Sequence, residues 1–282
     1  MTEREALQVP PEELGKGTAI AVEIVDNEMD LYWDMAQVMF DAIVAGQAAG
    51  KPPVFIVPVG PVGQYRRLAR LCNRHGVSCR DVTFIMMDEY LDDETGDLIA
   101  YDNPLSFRRF LDEEFYNRLA PEYRVAPENR LMPDPRDPGA LTRRIEELGG
   151  VDICLGGIGI VGHIAFNEPP PPDSGMSVEE FAALPTRIVD LDLRTRVINS
   201  VTAARGNIDA IPKRAVTVGM KEILAARRIR IYMNREWQPA IARRWIHGPV
   251  TPQVPASLLQ RHPDVRCVLT PEAARLPEAR LR

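Results

Sequence analysis

A glycine-rich stretch directly after a short apolar run constrains the fold of this chain more than any other feature. Residues 151–155 form the apolar run and predict a buried strand, and four glycines lie within residues 156–162. Glycine loses much backbone entropy when it is ordered in a helix or strand, so this density predicts a sharp turn. His163, Asn167 and Glu168 follow at once. Open α/β sheets bind their ligands at such strand ends, so the stretch predicts either an acid–base site or a turn that merely holds a hydrogen-bonded histidine.

Apolar strands alternate with amphipathic helices along the rest of the chain. Further strand-like runs lie at residues 19–25, 54–57, 82–87, 186–191, 215–220, 230–234 and 265–269. Most of these runs are separated by segments whose apolar residues recur at helical spacing. For example, Leu31, Met35 and Met39 follow a possible N-cap at Asp26 or Asn27. This alternation is typical of a parallel sheet covered by helices. We therefore expect an α/β protein with a mostly parallel, Rossmann-like sheet and helices on both faces.

The composition predicts one domain with a short N-terminal extension. Residues 1–17 carry Pro10, Pro11 and several charges, which indicates an extension that lies on the surface or is partly disordered. Residues 18–282 show neither an internal repeat nor a change of composition. A length of 282 residues is within the range of one large α/β domain. We therefore assign residues 18–282 to a single α/β domain.

Charge and hydropathy exclude several classes of partner. The net charge of −6 gives no general attraction for nucleic acid or an anionic membrane, although a local pocket can still bind a small anion. No apolar run reaches transmembrane length, and the N-terminus lacks the pattern of a signal peptide. The four cysteines show no metal-binding spacing and predict inert thiols in a reducing compartment. We expect a cytoplasmic protein that binds no nucleic acid, membrane or metal.

Two other strand ends carry residues that suit a binding site. Residues 54–57 run into a turn that contains Gly60 and Gly63, and such a turn before a helix can offer backbone N–H groups to an anion. Residues 82–87 run into Asp88 and Glu89, for which a solvated acidic turn is the alternative. Taken alone, neither turn specifies a function.

Taken together, two of these segments resemble one family. The string HIAFNEP, from His163 to Pro169, and the string MDEY, from Met87 to Tyr90, resemble signatures of the isomerising glucosamine-6-phosphate deaminases. The related 6-phosphogluconolactonases differ after the histidine, so the chain resembles the deaminase branch. The resemblance implies conversion of a 2-amino-2-deoxy aldose phosphate into a ketose phosphate and ammonia, without a metal or organic cofactor.

The resemblance also implies roles for individual residues. Asp88 would be the base that carries a proton between C2 and C1, and His163 would assist opening of the sugar ring. Glu168 would orient the imidazole and raise its pKa. The residues expected to contact the substrate are Gly60, Gly63, Glu89, Asn167 and Arg196. The segment at about 169–186 would form a lid, in which Ser177 and Glu180 match a capping box.

The acid–base part of the site departs from the family pattern at one position. The family places an aspartate two residues before the histidine, where this chain has Val161. The missing charge predicts a lower pKa for His163 than the family norm, and slower ring opening.

Larger departures concern the phosphate. Val59, Pro61 and Val62 stand where hydroxyl residues are expected, and proline removes one backbone donor. Val201 replaces an expected arginine and Gln238 an expected lysine. Charge-assisted contacts contribute about 1.5–3 kcal/mol each, so these losses predict a substrate that lacks the usual phosphate or carries another group there.

Three further questions stay open at the level of sequence. Arg196, Arg235 or Lys213 could replace the missing cations, and Trp237 could be a sugar platform or a core residue. An ordinary glucosamine-6-phosphate deaminase with substitute phosphate ligands, or a non-catalytic sugar-binding or regulatory protein, are the alternatives. The family contains oligomers, so the resemblance leaves a homo-oligomer open; Arg187 resembles an effector-binding residue of the family.

Overall fold

The computed structural model describes residues 1–279 as alternating strands and helices. The strands are β1 (Ile20–Ile24), β2 (Val54–Val57), β3 (Thr83–Met86), β4 (Asp88–Tyr90), β5 (Arg130–Leu131), β6 (Ile153–Gly156), β7 (Arg187–Asp190), β8 (Arg214–Thr217), β9 (Arg228–Met233) and β10 (Val265–Leu269). The α-helices are α1 (Glu3–Ala6), α2 (Glu28–Ala48), α3 (Gln64–His75), α4 (Phe107–Glu114), α5 (Pro138–Glu147), α6 (Val178–Ala182), α7 (Leu193–Ala203), α8 (Met220–Leu224), α9 (Pro239–His247) and α10 (Pro271–Ala274). Short 3₁₀ helices lie at Pro11–Glu13, Tyr116–Arg118, Pro121–Tyr123, Pro127–Asn129, Ile208–Ala210 and Pro255–Arg261.

Seven strands form the main sheet in the order β1-β10-β9-β6-β2-β3-β5, and all their pairings are parallel. The central strands β2 and β6 are buried at every position, as their continuous apolar sequences predict. Helices cover both faces: α2, α3 and α4 pack on one side, and α5, α8 and α9 on the other. The predicted α/β class with a mostly parallel sheet is confirmed. Because β2 and β6 are parallel neighbours, the two glycine-bearing turns that follow them lie side by side.

A second, three-stranded antiparallel sheet was not anticipated. Its order is β4-β8-β7, with Asp88 opposite Thr217 and Arg187 also opposite Thr217. The apolar run at 82–87 therefore belongs to the main sheet, and the acidic residues that follow it belong to the second sheet. Met87 marks the change, since its N–H still donates to Val57 while the next residues pair with β8. Sequence periodicity gave no sign of this change of partner.

The N-terminal residues lie against α9 and are not detached from the domain. A capping box at Thr2 and Glu5 starts α1, and Ala6 is buried. The buried guanidinium of Arg243, on α9, donates to the carbonyl oxygen of Val9. The boundary at residue 18 remains a prediction. Within residues 1–279, no helix combines the length and apolar character that a bilayer crossing requires.

The segment predicted to be a lid contains the expected short helix. Ser177 accepts the N–H of Glu180, and the Glu180 carboxylate accepts the N–H of Ser177, so the predicted capping box is present. Phe181 is buried in the core cluster of one sheet face and anchors the segment. Pro169 to Pro172 precede this helix and line a surface cavity beside Glu168.

Candidate active site

A cavity of about 310 Å³ lies at the carboxyl edge of the main sheet. The turn after β2 and the glycine-rich turn after β6 form two of its walls, because these strands are adjacent. Asp88, from the start of β4, and His163 both line it. The structure thus brings together two of the three predicted catalytic side chains, which lie 75 positions apart in the sequence.

Asp88 is a buried carboxylate beside a buried histidine. Only 7% of the residue is exposed. Burial raises the pKa of Asp88 to about 7, the negative charge of Glu89 adds to this rise, and the positive charge available on His163 opposes it. A carboxylate whose pKa lies near neutrality can both accept and return a proton at physiological pH.

His163 is supported by two side chains at one ring nitrogen. Its Nδ1 lies 3.1 Å from Oε2 of Glu168 and 3.3 Å from Oγ1 of Thr195. Burial lowers the pKa of His163, but the charge and hydrogen bond of Glu168 and the negative charges of Asp88 and Asp192 together outweigh burial, so the pKa lies above its ordinary value. Glu168 therefore lies beside the imidazole together with Thr195, and its predicted role in catalysis remains a prediction.

Gly159, four residues before His163, is required by the imidazole ring. A Cβ added at Gly159 would lie 1.9 Å from Nε2 of His163, so only glycine fits beneath the imidazole. The N–H of Gly159 donates to the carbonyl oxygen of His163 at 2.9 Å and closes the turn. Gly162 has φ +88°, a conformation that favours glycine. The glycine density that marks this turn in the sequence therefore has a direct steric cause.

Thr195 and Asp192 were missed by the sequence analysis. Asp192 is the N-cap of α7, where its side chain accepts the N–H of Arg194, and Thr195 is buried in the first turn. No spacing or motif connects this helix with His163, which is 32 positions from Thr195. Packing of α7 beside the glycine-rich turn creates the contact. Asp192 supplies negative charge near an imidazole that lacks the aspartate expected at Val161.

Two residues expected to contact substrate have other partners. The Glu89 side chain is fully buried and accepts hydrogen bonds from Ser106 and from the N–H groups of Phe107 and Arg108 at the start of α4. Asn167 donates to the carbonyl oxygen of Val218 and accepts from Arg187. Neither residue lines the cavity. Their side chains fix the elements that carry Asp88 and Glu168.

Of the other three residues expected to contact the substrate, Gly60, Gly63 and Arg196, only one lines the cavity. Gly60 lines the cavity, whereas Gly63 does not, because the ring of Tyr32 packs where a Cβ at residue 63 would lie. Arg196 donates to the carbonyl oxygen of Ile211 and likewise lies outside the lining. The structure therefore brings Gly60 to the predicted site and leaves Gly63 and Arg196 in supporting positions.

One end of the cavity, which we call the distal end, is where the family pattern predicts the phosphate. This end is nearly uncharged. Its lining includes Val59, Pro61 and Val62, together with Asn234, Arg235, Trp237 and Gln238. Gln238 donates to the carbonyl oxygen of Ile158 and accepts the N–H of Arg235. Val201 is 62% exposed and Lys213 lies elsewhere. Of the three cations considered from sequence, Arg235 alone contributes to the described lining.

Metal ligation is not indicated by the arrangement of side chains. Within the described part of the chain, no three His, Cys, Asp or Glu residues cluster in a way that could hold a metal ion. The cavity instead presents a buried carboxylate and a carboxylate-supported imidazole at the carboxyl edge of a parallel sheet. These features are typical of an α/β enzyme that performs acid–base chemistry on a small molecule.

Comparisons with known proteins specify the family. No family model matches the chain. Glucosamine-6-phosphate deaminase 1 of Bacillus subtilis is 32% identical over 222 residues, which are 77% of this chain and 83% of that protein. The glucosamine-6-phosphate deaminase of Halothermothrix orenii is 30% identical over 243 residues, 83% of this chain and 92% of that one. This chain belongs to the glucosamine-6-phosphate deaminase family.

Solved structures agree with this assignment. A monomeric glucosamine-6-phosphate deaminase superposes with a TM-score of 0.76 at 28% identity, covering 90% of this chain and 99% of its own. The 6-phosphogluconolactonase of Plasmodium vivax, at 15% identity and a TM-score of 0.65, shares the fold; the match covers 96% of this chain and 95% of that one. The predicted family and enzyme class, an isomerising deaminase of an amino sugar, are confirmed.

Proposed function

We propose that this protein converts a 2-amino-2-deoxy aldose that lacks the usual 6-phosphate into the corresponding ketose and ammonia. The observation that carries the proposal is the meeting of Asp88 and His163 in one cavity, with Glu168 at 3.1 Å from the imidazole. The raised pKa of Asp88 suits a base that must take up a proton and give it back. The uncharged turn at Val59 to Val62 supports the proposed absence of the phosphate.

The first step of the proposed reaction opens the sugar ring. His163 moves a proton between the C1 hydroxyl and the ring oxygen, so that the C1–O5 bond breaks and an aldehyde forms at C1. Glu168 and Thr195 hold Nδ1, which leaves Nε2 as the nitrogen available for this transfer. The negative charge of Glu168 stabilises the imidazolium that forms when the ring accepts a proton.

The second step moves a proton along the open chain. Asp88 removes the proton from C2, and the electron pair forms the C1–C2 double bond of an enolamine, while the C1–O π pair moves onto O1, which takes a proton from the His163 imidazolium. The imidazole regains this proton from the water that later adds to C2. Return of the proton to C1 produces an iminium at C2. Water then adds to C2, the C2–N bond breaks with its electron pair leaving on nitrogen, and the products are a ketose and ammonia. One water molecule is consumed, and no electron acceptor is needed.

The distal end of the cavity gives little support to a phosphate dianion. A phosphate monoester carries a charge of about −1.5 to −2 at neutral pH and offers three strong acceptor oxygens. The turn that would face this phosphate contributes Val59, Pro61 and Val62 to the cavity wall. Pro61 has no N–H to donate. Gln238 already uses its amide on neighbouring backbone groups. A substrate without that phosphate fits these walls better.

A second candidate function rests on Arg235. This arginine lines the distal end of the cavity. It could replace the cations missing at Val201 and Gln238 and bind the phosphate of glucosamine 6-phosphate. In this candidate the reaction at C1 and C2 is the same. Only the substrate group that binds at the distal end of the cavity differs.

Ammonia release separates the candidates. The wild-type enzyme is incubated with glucosamine and with glucosamine 6-phosphate, and ammonia and ketose are measured together. Release from glucosamine supports the proposal, and release that requires the 6-phosphate supports the second candidate. Binding of either sugar without release, by wild type as by Asp88→Asn, would indicate a non-catalytic sugar-binding protein and contradict both.

A further inference from the structure

One face of α7 forms part of the cavity wall. Thr195 and Asn199 are four positions apart, about one helical turn, so their side chains project from the same face. Thr195 lies beside Nδ1 of His163, whereas Asn199 lines the cavity together with Thr202. The helix thus leads from the reacting histidine toward Val201, where the family pattern expects a phosphate-binding cation. Asn199 lies between these two points.

The strand β4 brings a partner to Asn199. Successive side chains of a strand alternate between its two faces, so Asp88 and Tyr90 share one face and Glu89 lies on the other. Asp88 and Tyr90 accordingly both line the cavity. The hydroxyl oxygen of Tyr90 accepts a hydrogen bond of 3.0 Å from Nδ2 of Asn199. This bond fixes the orientation of the Asn199 amide relative to the strand that carries the proposed base.

The amide oxygen of Asn199 is available to a ligand. Among the described residues, no N–H or O–H group donates to Oδ1, and Nδ2 uses one of its two hydrogens on Tyr90. The side chain is half-buried, and Oδ1 is not enclosed by protein atoms. The amide can therefore both accept and donate a hydrogen bond in the cavity.

The neighbouring residues of this wall offer few other polar groups. Their side chains are mostly apolar: Leu105, Phe107, Phe166 and Ala203. The N–H groups of the first three already donate to side-chain oxygens, those of Asn103, Glu89 and Thr217 respectively. The Thr202 hydroxyl donates to carbonyl oxygens within α7. A polar group of the substrate that faces this wall therefore meets chiefly the Asn199 amide.

A sugar hydroxyl suits this amide, because a hydroxyl also both donates and accepts. In the proposed reaction C1 lies at His163 and C2 at Asp88, so the hydroxyls on C3 and C4 follow along the chain. Asn199 lies about 6 Å along α7 from Thr195, which contacts His163. The amide is therefore placed beside the middle of the sugar chain.

We infer that Asn199 binds a hydroxyl in the middle of the substrate chain, on C3 or C4, and that Tyr90 positions the amide for this contact. The inference rests on the proposed isomerising deamination and adds a residue that selects a sugar hydroxylated beyond C2. No bond is made or broken at this hydroxyl. The contact should therefore be equally strong before and during the reaction, so it lowers KM and leaves kcat nearly unchanged.

The test compares glucosamine with its 3-deoxy and 4-deoxy analogues, or the 6-phosphates of all three if the enzyme requires the phosphate. Ammonia release gives the ratio of kcat/KM for the parent sugar to that for each analogue. Asn199→Ala should lower this ratio about 5- to 100-fold for one of the two analogues, mainly through KM. The intrinsic effect of the missing hydroxyl on reactivity is the same in both enzymes and cancels. Val197→Ala, at an exposed position of α7 outside the cavity, is the matched control and should keep the wild-type ratios.

Tyr90→Phe tests the positioning role, since it removes only the hydroxyl that holds Nδ2 of Asn199. The same ratio should fall at least threefold, with kcat within threefold of wild type. Added to Asn199→Ala, the change should alter the ratio less than twofold, because both changes act on one contact. An equal fall in the presence and absence of Asn199 would overturn the positioning role.

The remaining outcomes separate this inference from the proposed function. A fall for the 3-deoxy analogue assigns the contact to C3, and a fall for the 4-deoxy analogue assigns it to C4. Ratios within twofold of wild type for both analogues in Asn199→Ala would overturn the inference and leave the proposed deamination standing. If no sugar releases ammonia, calorimetric binding decides: a preference for the parent sugar that depends on Asn199 would support the contact and contradict the proposed function. An unchanged preference in Asn199→Ala, or no binding of any sugar, would contradict both.

Discussion

At one end of the cavity, Asp88 and His163 are buried, charged or chargeable, and tied to a network that includes Glu168 and Thr195. At the other end, Val59 and Pro61 and their neighbours offer an almost uncharged wall with a single arginine. The first end depends on charges held in a fixed geometry. The second depends on the shape of its walls and on the charge of Arg235.

This difference indicates where the chain has departed from its family pattern. The groups for moving protons are retained, and the histidine that lacks its expected aspartate gains negative charge from Asp192. The residues that the family pattern would place around a phosphate are absent together. We therefore propose that substitution is concentrated at the end that selects the substrate, and that the end with the proposed acid–base residues keeps its chemistry.

The largest effect should come from removing the proposed base. Asp88→Asn leaves an isosteric amide that cannot accept the C2 proton, so kcat is expected to fall by about 10²- to 10⁴-fold. The variant should still bind the substrate, since the distal end is untouched. Steady-state ammonia release measures the change, with Asp81→Asn, at an exposed position before β3, as control. Activity of Asp88→Asn within threefold of wild type would remove Asp88 from the reaction.

The pH profile should follow the same carboxylate. A base acts when it is deprotonated, and burial raises the pKa of Asp88 to about 7. We therefore expect kcat/KM to fall about tenfold for each pH unit below about 7. A rate profile measured from pH 5 to 9 checks this. An acid limb near pH 4, the range of an ordinary carboxyl group, would show that Asp88 is not desolvated in the working enzyme.

Glu168→Gln tests whether Glu168 is the main partner that raises the pKa of His163. Loss of the carboxylate charge lowers the pKa of His163, because the imidazolium loses its nearest negative partner. The activity should fall about 10- to 100-fold, in line with the loss of a charge-assisted hydrogen bond. Titration of the imidazole by NMR measures the pKa directly. An unchanged titration curve in Glu168→Gln would mean that Thr195 and Asp192 supply the support by themselves.

Val201→Arg should move the distal end toward the family pattern. The residue is exposed on α7, next to Thr202, which lines the cavity, so an arginine there costs little stability. One added charge-assisted contact should raise kcat/KM for glucosamine 6-phosphate about tenfold relative to glucosamine. Val201→Gln, similar in polarity but uncharged, is the control. If both variants keep the wild-type ratio of kcat/KM for glucosamine 6-phosphate to that for glucosamine, the side chain at position 201 does not reach the phosphate.

The smallest effect concerns the missing aspartate. Val161→Asp would return a negative charge close to the imidazole, so the pKa of His163 should rise by up to about one unit. The change in ring-opening rate should be less than tenfold because Glu168 already supports the ring. NMR titration of wild type and variant compares the two values. Equal values would contradict the argument that Val161 weakens the base strength of this histidine.

Much of the fold and part of the site follow from local sequence. The apolar runs of β2 and β6 predict buried parallel strands, and the glycines after β6 predict the tight turn that the His163 ring requires. β3, which leads to Asp88, and β6, which leads to His163, both pair with β2, so the two side chains reach the same edge of the sheet. The passage of the chain at Met87 from one sheet to the other has no local signal, since Asp88 and Glu89 read equally well as an exposed turn.

The remaining parts of the site depend on long-range packing. Glu89 looks like a second acidic site residue in the sequence, yet the arrival of α4 converts it into a helix cap. Thr195 reaches His163 only because α7 packs against the glycine-rich turn. Arg235 and Trp237 line the distal end through the position of the β9–α9 connection. None of these contacts could be read from spacing.

The ratio of kcat/KM for glucosamine 6-phosphate to that for glucosamine tests the difference between the two ends most directly. Both substrates present the same C1 and C2 to Asp88 and His163, so the ratio isolates the distal end. Because we propose that its phosphate ligands are replaced, the enzyme should have a ratio of about one or lower. A ratio above about 100, equivalent to more than 2.7 kcal/mol of phosphate binding energy in the transition state, would contradict the account.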